Sequence, residues 1–155
     1  NPIKFRQPLS PYAAMKTEGK KIDLFRIKES IKRTAKDRDL VFIEGLGGAL
    51  APIKKNYYVA DLIKDLKMPC IIIARAGLGT INHTLMPIDV LRKRNVRVAG
   101  VIMNGFGGGE ISQRSNAKAI EELSGVKVIG KIKAGSSFAS LVKQIKEQRI
   151  LEKLI

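Results

Sequence analysis

Four short apolar runs constrain this chain more than any other feature of it. They fall at residues 40–43, 70–74, 96–103 and 126–132. Each has the length of a strand, and the continuous apolar character of the first two fits strands buried on both faces of a sheet. Lys127 makes the fourth less uniform. The segments between them carry helical periodicity. Leu24, Ile27, Ile31 and Ala35 recur at steps of three and four, with Asp23 placed to cap a helix over 23–36. Further helices are expected at 59–66, 80–93, 112–123 and 137–154. Thr80 is expected to cap the second of these, and Pro87 to kink it or split off a new first turn. Residues 1–19 hold Pro2, Pro8 and Pro11 and read as an extended, ordered loop. Alternating strands and helices predict an α/β fold: a mostly parallel sheet with flanking helices and right-handed crossovers.

A length of 155 residues predicts one domain, 1–155, large enough to bury a core. A single cysteine, Cys70, excludes an internal disulfide scaffold and fits a reducing, cytoplasmic setting. No apolar run approaches the length of a membrane span, so no membrane partner is expected. The chain opens on Asn1-Pro2 without an initiator methionine, as a processed chain or part of a longer one would. Its net charge of +15 draws anions. Tryptophan is absent and Tyr57-Tyr58 is the only adjacent aromatic pair, so the stacking residues of single-strand binders are missing. No specific nucleic-acid partner is expected.

Ligands of parallel α/β sheets sit at the carboxyl ends of the strands. Glu44 ends the first apolar run and is followed by Gly45, Gly47 and Gly48. A carboxylate so placed can help hold magnesium beside a nucleotide, or can simply cap the next element. Gly77-Leu78-Gly79-Thr80-Ile81-Asn82-His83 follows the second run. Glycines before a helix start offer free backbone amides to an anion, or form an ordinary helix cap. His83, the single histidine, reads as a structural hydrogen-bonder. Asn104, after the third run, can read a base edge or serve a turn, and Cys70 reads as inert core. Asp61 and Asp65 read as a solvated face. Residues 125–131 match the glycine and lysine spacing of a P-loop, but Ile132 stands where Ser or Thr would hold magnesium, and the interior reads as a strand. That match is rejected.

Several of these segments, taken together, resemble dethiobiotin synthetase. Asn1-Pro2-Ile3-Lys4-Phe5 with Pro8-Leu9-Ser10-Pro11 resembles the family's stretch before its first long crossover helix. Glu44-Gly45-Leu46-Gly47-Gly48 resembles its E-G-x-G-G turn. Leu78-Gly79-Thr80-Ile81-Asn82-His83-Thr84-Leu85 is the most specific match, and residues 98–104 resemble the strand leading to the base. The resemblance implies a P-loop NTPase-like three-layer architecture lacking its first strands. It implies that Glu44 joins an Mg2+ site on ATP, that Gly47 and Gly48 line the substrate pocket, and that Asn104 reads adenine. Ile132 would border the ATP site, although Gly130-Lys131-Ile132-Lys133 stands where the family shows Gly-x-Ile-Pro. The amides of Gly79, Thr80 and Ile81, with Asn82, would bind the carboxylate of 7,8-diaminononanoate across a homodimer interface. In the family, one amine of that substrate traps CO2 as a carbamate, ATP phosphorylates it, and the second amine closes the ring.

The family's P-loop, its catalytic lysine and a magnesium-binding aspartate would lie upstream of Asn1. No residue of the chain is therefore assigned a catalytic role. The chain corresponds to roughly the last two-thirds of a family member, judged by the usual size of such domains. It is expected to be inactive without an N-terminal half supplied separately or by a longer chain. Without those strands the sheet is expected to expose apolar edge and face. A related P-loop amidotransferase synthetase of cobalamin synthesis shares the E-G-x-G-G turn, but the 79–83 segment favours the first family. A basic anion-binding module without catalysis is the non-enzyme alternative.

Overall fold

A computed structural model describes residues 2–107 and 109–154. It contains two compact units, Asn1–Lys67 and Met68–Ile155. Asn1, Gly108 and Ile155 lie outside the described residues.

The first unit holds α1 (Pro11–Glu18), α2 (Leu24–Ala35), β1 (Pro52–Lys54), β2 (Tyr57–Tyr58) and α3 (Val59–Leu66). Helix α1 replaces part of the extended loop expected there. Ser10 accepts from the Ala13 amide, Pro11 opens the helix where its missing N–H costs nothing, and Gly19 ends it at φ 63°. Helix α2 forms as its periodicity predicts, with Asp23 accepting from the Arg26 amide at 3.1 Å. The strand expected at 40–43 does not form. A strand exists only where a neighbour pairs with it, and no ladder among the described residues includes these positions. Phe42 is 63% exposed. An unanticipated hairpin pairs β1 and β2 antiparallel around Asn56, whose φ of 59° suits a tight turn. Ile22, Ile53 and Val59 form the core of this unit.

The second unit alternates β3 (Cys70–Arg75), α4 (Thr80–Arg92), β4 (Val98–Phe106), α5 (Ser112–Ser124), β5 (Val128–Lys133) and α6 (Phe138–Glu147). Its strands form a parallel sheet in the order β3-β4-β5. Successive strand residues face opposite sides. Ala74, Val101 and Met103 pack with Ile88 of α4 and with Ala117 and Ile120 of α5. On the other face Ile129, Ile132 and Ile150 cluster with Ile102, Leu141 and Ile145. The α/β class, the parallel sheet and the flanking helices are thus as the sequence predicts.

Several details differ, among them the starts of β4 and β5, which lie at Val98 and Val128 rather than at 96 and 126. Pro87 lies inside α4 without dividing it. Strand β4 runs past Asn104 to Phe106 because it keeps pairing with β5. Helix α6 stops at Glu147 rather than near residue 154, and Arg149, at φ 52°, redirects the chain so that Ile150 returns to the sheet. The false P-loop dissolves as expected: Gly125 caps α5 at φ 68°, and β5 begins at Val128.

Candidate functional site

In the first unit, Glu44 is exposed and forms no hydrogen bond or ion pair among the described residues. It does not cap α3. That start is held by Asp61, whose carboxylate accepts from the Tyr58 amide at 2.8 Å. Asp65 is likewise engaged rather than idle on a solvated face. It accepts from Lys28 Nζ at 3.0 Å and Tyr57 Oη at 2.9 Å. Those bonds, the lysine's foremost, hold its carboxyl below the ordinary value. Desolvation, reinforced by Asp65, pushes the Tyr57 phenol up. Gly47 adopts φ 81°, and the turn after it is tied down by Ala51 N to Gly48 O at 2.9 Å and Ala60 N to Ala49 O at 2.9 Å. Gly47 and Gly48 are exposed, and a side chain at Gly48 would meet nothing within 4 Å. Backbone here is open to a ligand's approach.

In the second unit, the start of α4 departs from expectation in one respect. Gly79, at φ 84°, is the N-cap residue, and no side chain caps the helix. Thr80 is instead the first helical residue, 1% exposed, with its hydroxyl 3.5 Å from that of Thr84. Its amide is engaged with Gly77 O at 3.3 Å. The amides of Gly79, Ile81 and Asn82 have no acceptor among the described residues. Helix amides left open in this way, with the positive end of the helix dipole, favour an anion. Arg75, exposed at the end of β3, lies with Nη2 3.0 Å from His83 Nδ1. A guanidinium only donates, so Nδ1 accepts and the ring proton sits on Nε2. His83 is thus the hydrogen-bonder the sequence suggests.

Asn104 lies opposite both Arg75 and Ile132 in the sheet. Its side chain is exposed, and its carbonyl accepts from the Ala76 amide at 2.9 Å. Ile132 is 7% exposed and committed to the apolar cluster, so only its backbone remains for a ligand. Burial pushes the Cys70 thiol up, consistent with an inert residue. No group of three or more His, Cys, Asp or Glu residues among the described ones could hold a metal. None of the described helices is long and apolar enough to cross a membrane.

Sequence reasoning placed Arg75 at a strand end without giving it a role, and missed Glu110 and Asn116. Glu110 accepts from the Leu78 amide at 3.3 Å, and Asn116 donates to the carbonyls of Ala76 and Gly77. For Asn116 a signal existed. It shares the apolar stripe of α5 with Ile120, one turn on, where a polar residue calls for a buried partner.

The AAA domain family model matches residues 1–138. Proteins named ATP-dependent dethiobiotin synthetase BioD match over most of the chain. That of Methanococcus vannielii is 40% identical over 134 residues, 84% of this chain and 63% of that protein. That of Aquifex aeolicus is 41% identical over 126 residues, 81% and 57%. That of Methanocaldococcus jannaschii is 36% identical over 146 residues, 89% and 67%. The chain belongs to the dethiobiotin synthetase family. It spans about six-tenths of the length of the first two of these relatives.

Proposed function

We propose that this chain forms one α/β domain, 1–155, serving as part of an ATP-dependent dethiobiotin synthetase. Joined by a P-loop-bearing segment, it would carboxylate 7,8-diaminononanoate with CO2 and close the ureido ring at the expense of ATP, in the cytoplasm. The observation that carries this reading is the start of α4, where Gly79 is left-handed and the Ile81 and Asn82 amides are open. A substrate with one carboxylate tail suits it, and the net charge of +15 attracts both that tail and ATP. The carboxylate would come from a ligand seated in a second copy of the chain, which makes the working form a homodimer.

Glu44 fits Mg2+ as a single hard oxygen ligand, because that ion takes one or two carboxylates together with phosphate oxygens. The bound ion would neutralise charge on the transferred phosphoryl group. Gly47 and Gly48 would give the substrate close backbone approach. The exposed Asn104 amide both donates and accepts, which matches an adenine edge. Ile132 would border the nucleotide through its backbone.

Gly79→Val tests the reading. A Cβ at Gly79 has room, its nearest neighbour being His83 at 3.8 Å, so the substitution acts through the positive φ and through the space above the amides. In the chain joined by its P-loop-bearing segment, calorimetry should show diaminononanoate binding weakened about tenfold, the order of one or two lost charge-assisted hydrogen bonds, with ATP binding nearly intact. Unchanged affinity in a folded variant would reduce the loop to a plain helix start.

A further inference from the structure

Helix α5 grips the turn that leads into α4. Asn116 is 5% exposed, and its Nδ2 donates to Ala76 O at 2.9 Å and Gly77 O at 3.1 Å. A primary amide has two N–H groups, and these two carbonyls use both. In a trans peptide the C=O and the following N–H point to opposite sides. Fixing the Ala76 and Gly77 carbonyls therefore fixes the Gly77 and Leu78 amides. The Leu78 amide meets Glu110 Oε1 at 3.3 Å, and a Cβ on Gly77 would strike the same carboxylate. Two consecutive peptide planes are thus pinned one peptide short of Gly79, and the Gly77 carbonyl also receives the Thr80 amide of α4 at 3.3 Å. We propose that Asn116 is a positioning residue, which sets the direction of the α4 amides that receive the substrate carboxylate. This rests on the reading of the α4 start given above. Only an amide donor meets the requirement. A carboxylate would turn oxygens against two carbonyls, and a methyl group would leave the Ala76 carbonyl buried without a partner.

The test compares Asn116→Ala with Ser124→Ala. Ser124 is equally buried in the same helix, with its hydroxyl donating to Ile120 O and accepting from Val126 N, and it does not touch the turn. In the chain joined by its P-loop-bearing segment, Asn116→Ala should weaken diaminononanoate binding about tenfold in calorimetry and speed exchange of the Leu78 amide, which meets Glu110, by a similar factor. Ser124→Ala should change neither by more than about twofold, although it also lowers stability. Asn116→Ser retains one donor and should give about a threefold loss, and it carries the test if the alanine variant does not fold. Affinities within twofold of the parent for both Asn116 variants would overturn the proposal, as would an equal loss in Ser124→Ala. If the parent, so joined, does not bind diaminononanoate at all, the substrate reading fails. Amide exchange then decides the role of Asn116 by itself: faster exchange at Leu78 that Ser124→Ala does not share supports it, and unchanged exchange there overturns it.

Discussion

The two edges of the three-stranded sheet are finished in different ways. Along β5, side chains stand in for a neighbouring strand. Gln148 accepts from Lys131 N at 2.8 Å and donates to Lys131 O at 2.7 Å. Gln144 accepts from Lys133 N at 2.9 Å, and Lys153 donates to Ile129 O at 3.1 Å. Along β3 the one side-chain bond to backbone among the described residues is a long 3.6 Å contact from Cys70 Sγ to Ile71 O, made within the strand itself, and Ile73 is 63% exposed. An edge strand with open N–H and C=O groups invites another backbone, and proteins usually blunt it. The β5 edge is blunted and the β3 edge is not. The sheet is closed along β5 and open along β3.

The largest effect should come from one substitution made at both edges. Ile150 is 2% exposed and packs on the β5 side, whereas Ile73 stands on the open side. Ile150→Ala should cost about 3 kcal/mol through lost burial and a cavity. Ile73→Ala should cost less than about 1 kcal/mol, because little area is withdrawn from water there. Denaturant unfolding of both variants measures the difference. Equal losses would mean that Ile73 is covered in solution and that the two edges are alike.

The same contrast explains what the sequence revealed. Cys70 to Ala74 forms a strand because Val98 to Met103 pairs with it, and both partners lie in the chain. Leu40 to Ile43 is as apolar, yet no partner pairs with it, and strand formation is a property of the pair. The helices were legible wherever caps accompanied periodicity, as at Asp23. Helix α1 was missed although Ser10, Pro11 and Gly19 spelled out its two ends. At the site, glycines and the helix start were visible from spacing. The grip of Asn116 on Ala76 spans 40 residues and depends on how α5 packs, which no local pattern records.

Next in size is the loss of the side chains that seal β5. Gln148→Ala removes two hydrogen bonds to Lys131, both partly open to water, and should cost about 1 kcal/mol in an unfolding titration. Combined with Gln144→Ala it should make the β5 edge resemble that of β3, with faster exchange at the Lys131 and Lys133 amides. Unaltered exchange would mean that water serves these groups as well as the glutamines do.

The smallest change in stability, and the sharpest separation of the edges, should follow Ile73→Lys. The side chain is mostly exposed, so removing its apolar surface withdraws little burial, and a lysine can lay its methylenes along the sheet while its ammonium stays in water. Stability should remain within about 0.5 kcal/mol, the usual range for surface substitutions. Association should change nonetheless. A lysine beside open backbone groups opposes edge-to-edge pairing, because docking a second strand would bury or crowd its charge. In sedimentation velocity at rising protein concentration, the parent chain should form larger species that Ile73→Lys suppresses, while a lysine at the sealed edge, Val128→Lys, should leave them in place. If both substitutions act alike, association runs through the general charge of the surface, and the open edge of β3 takes no special part in it.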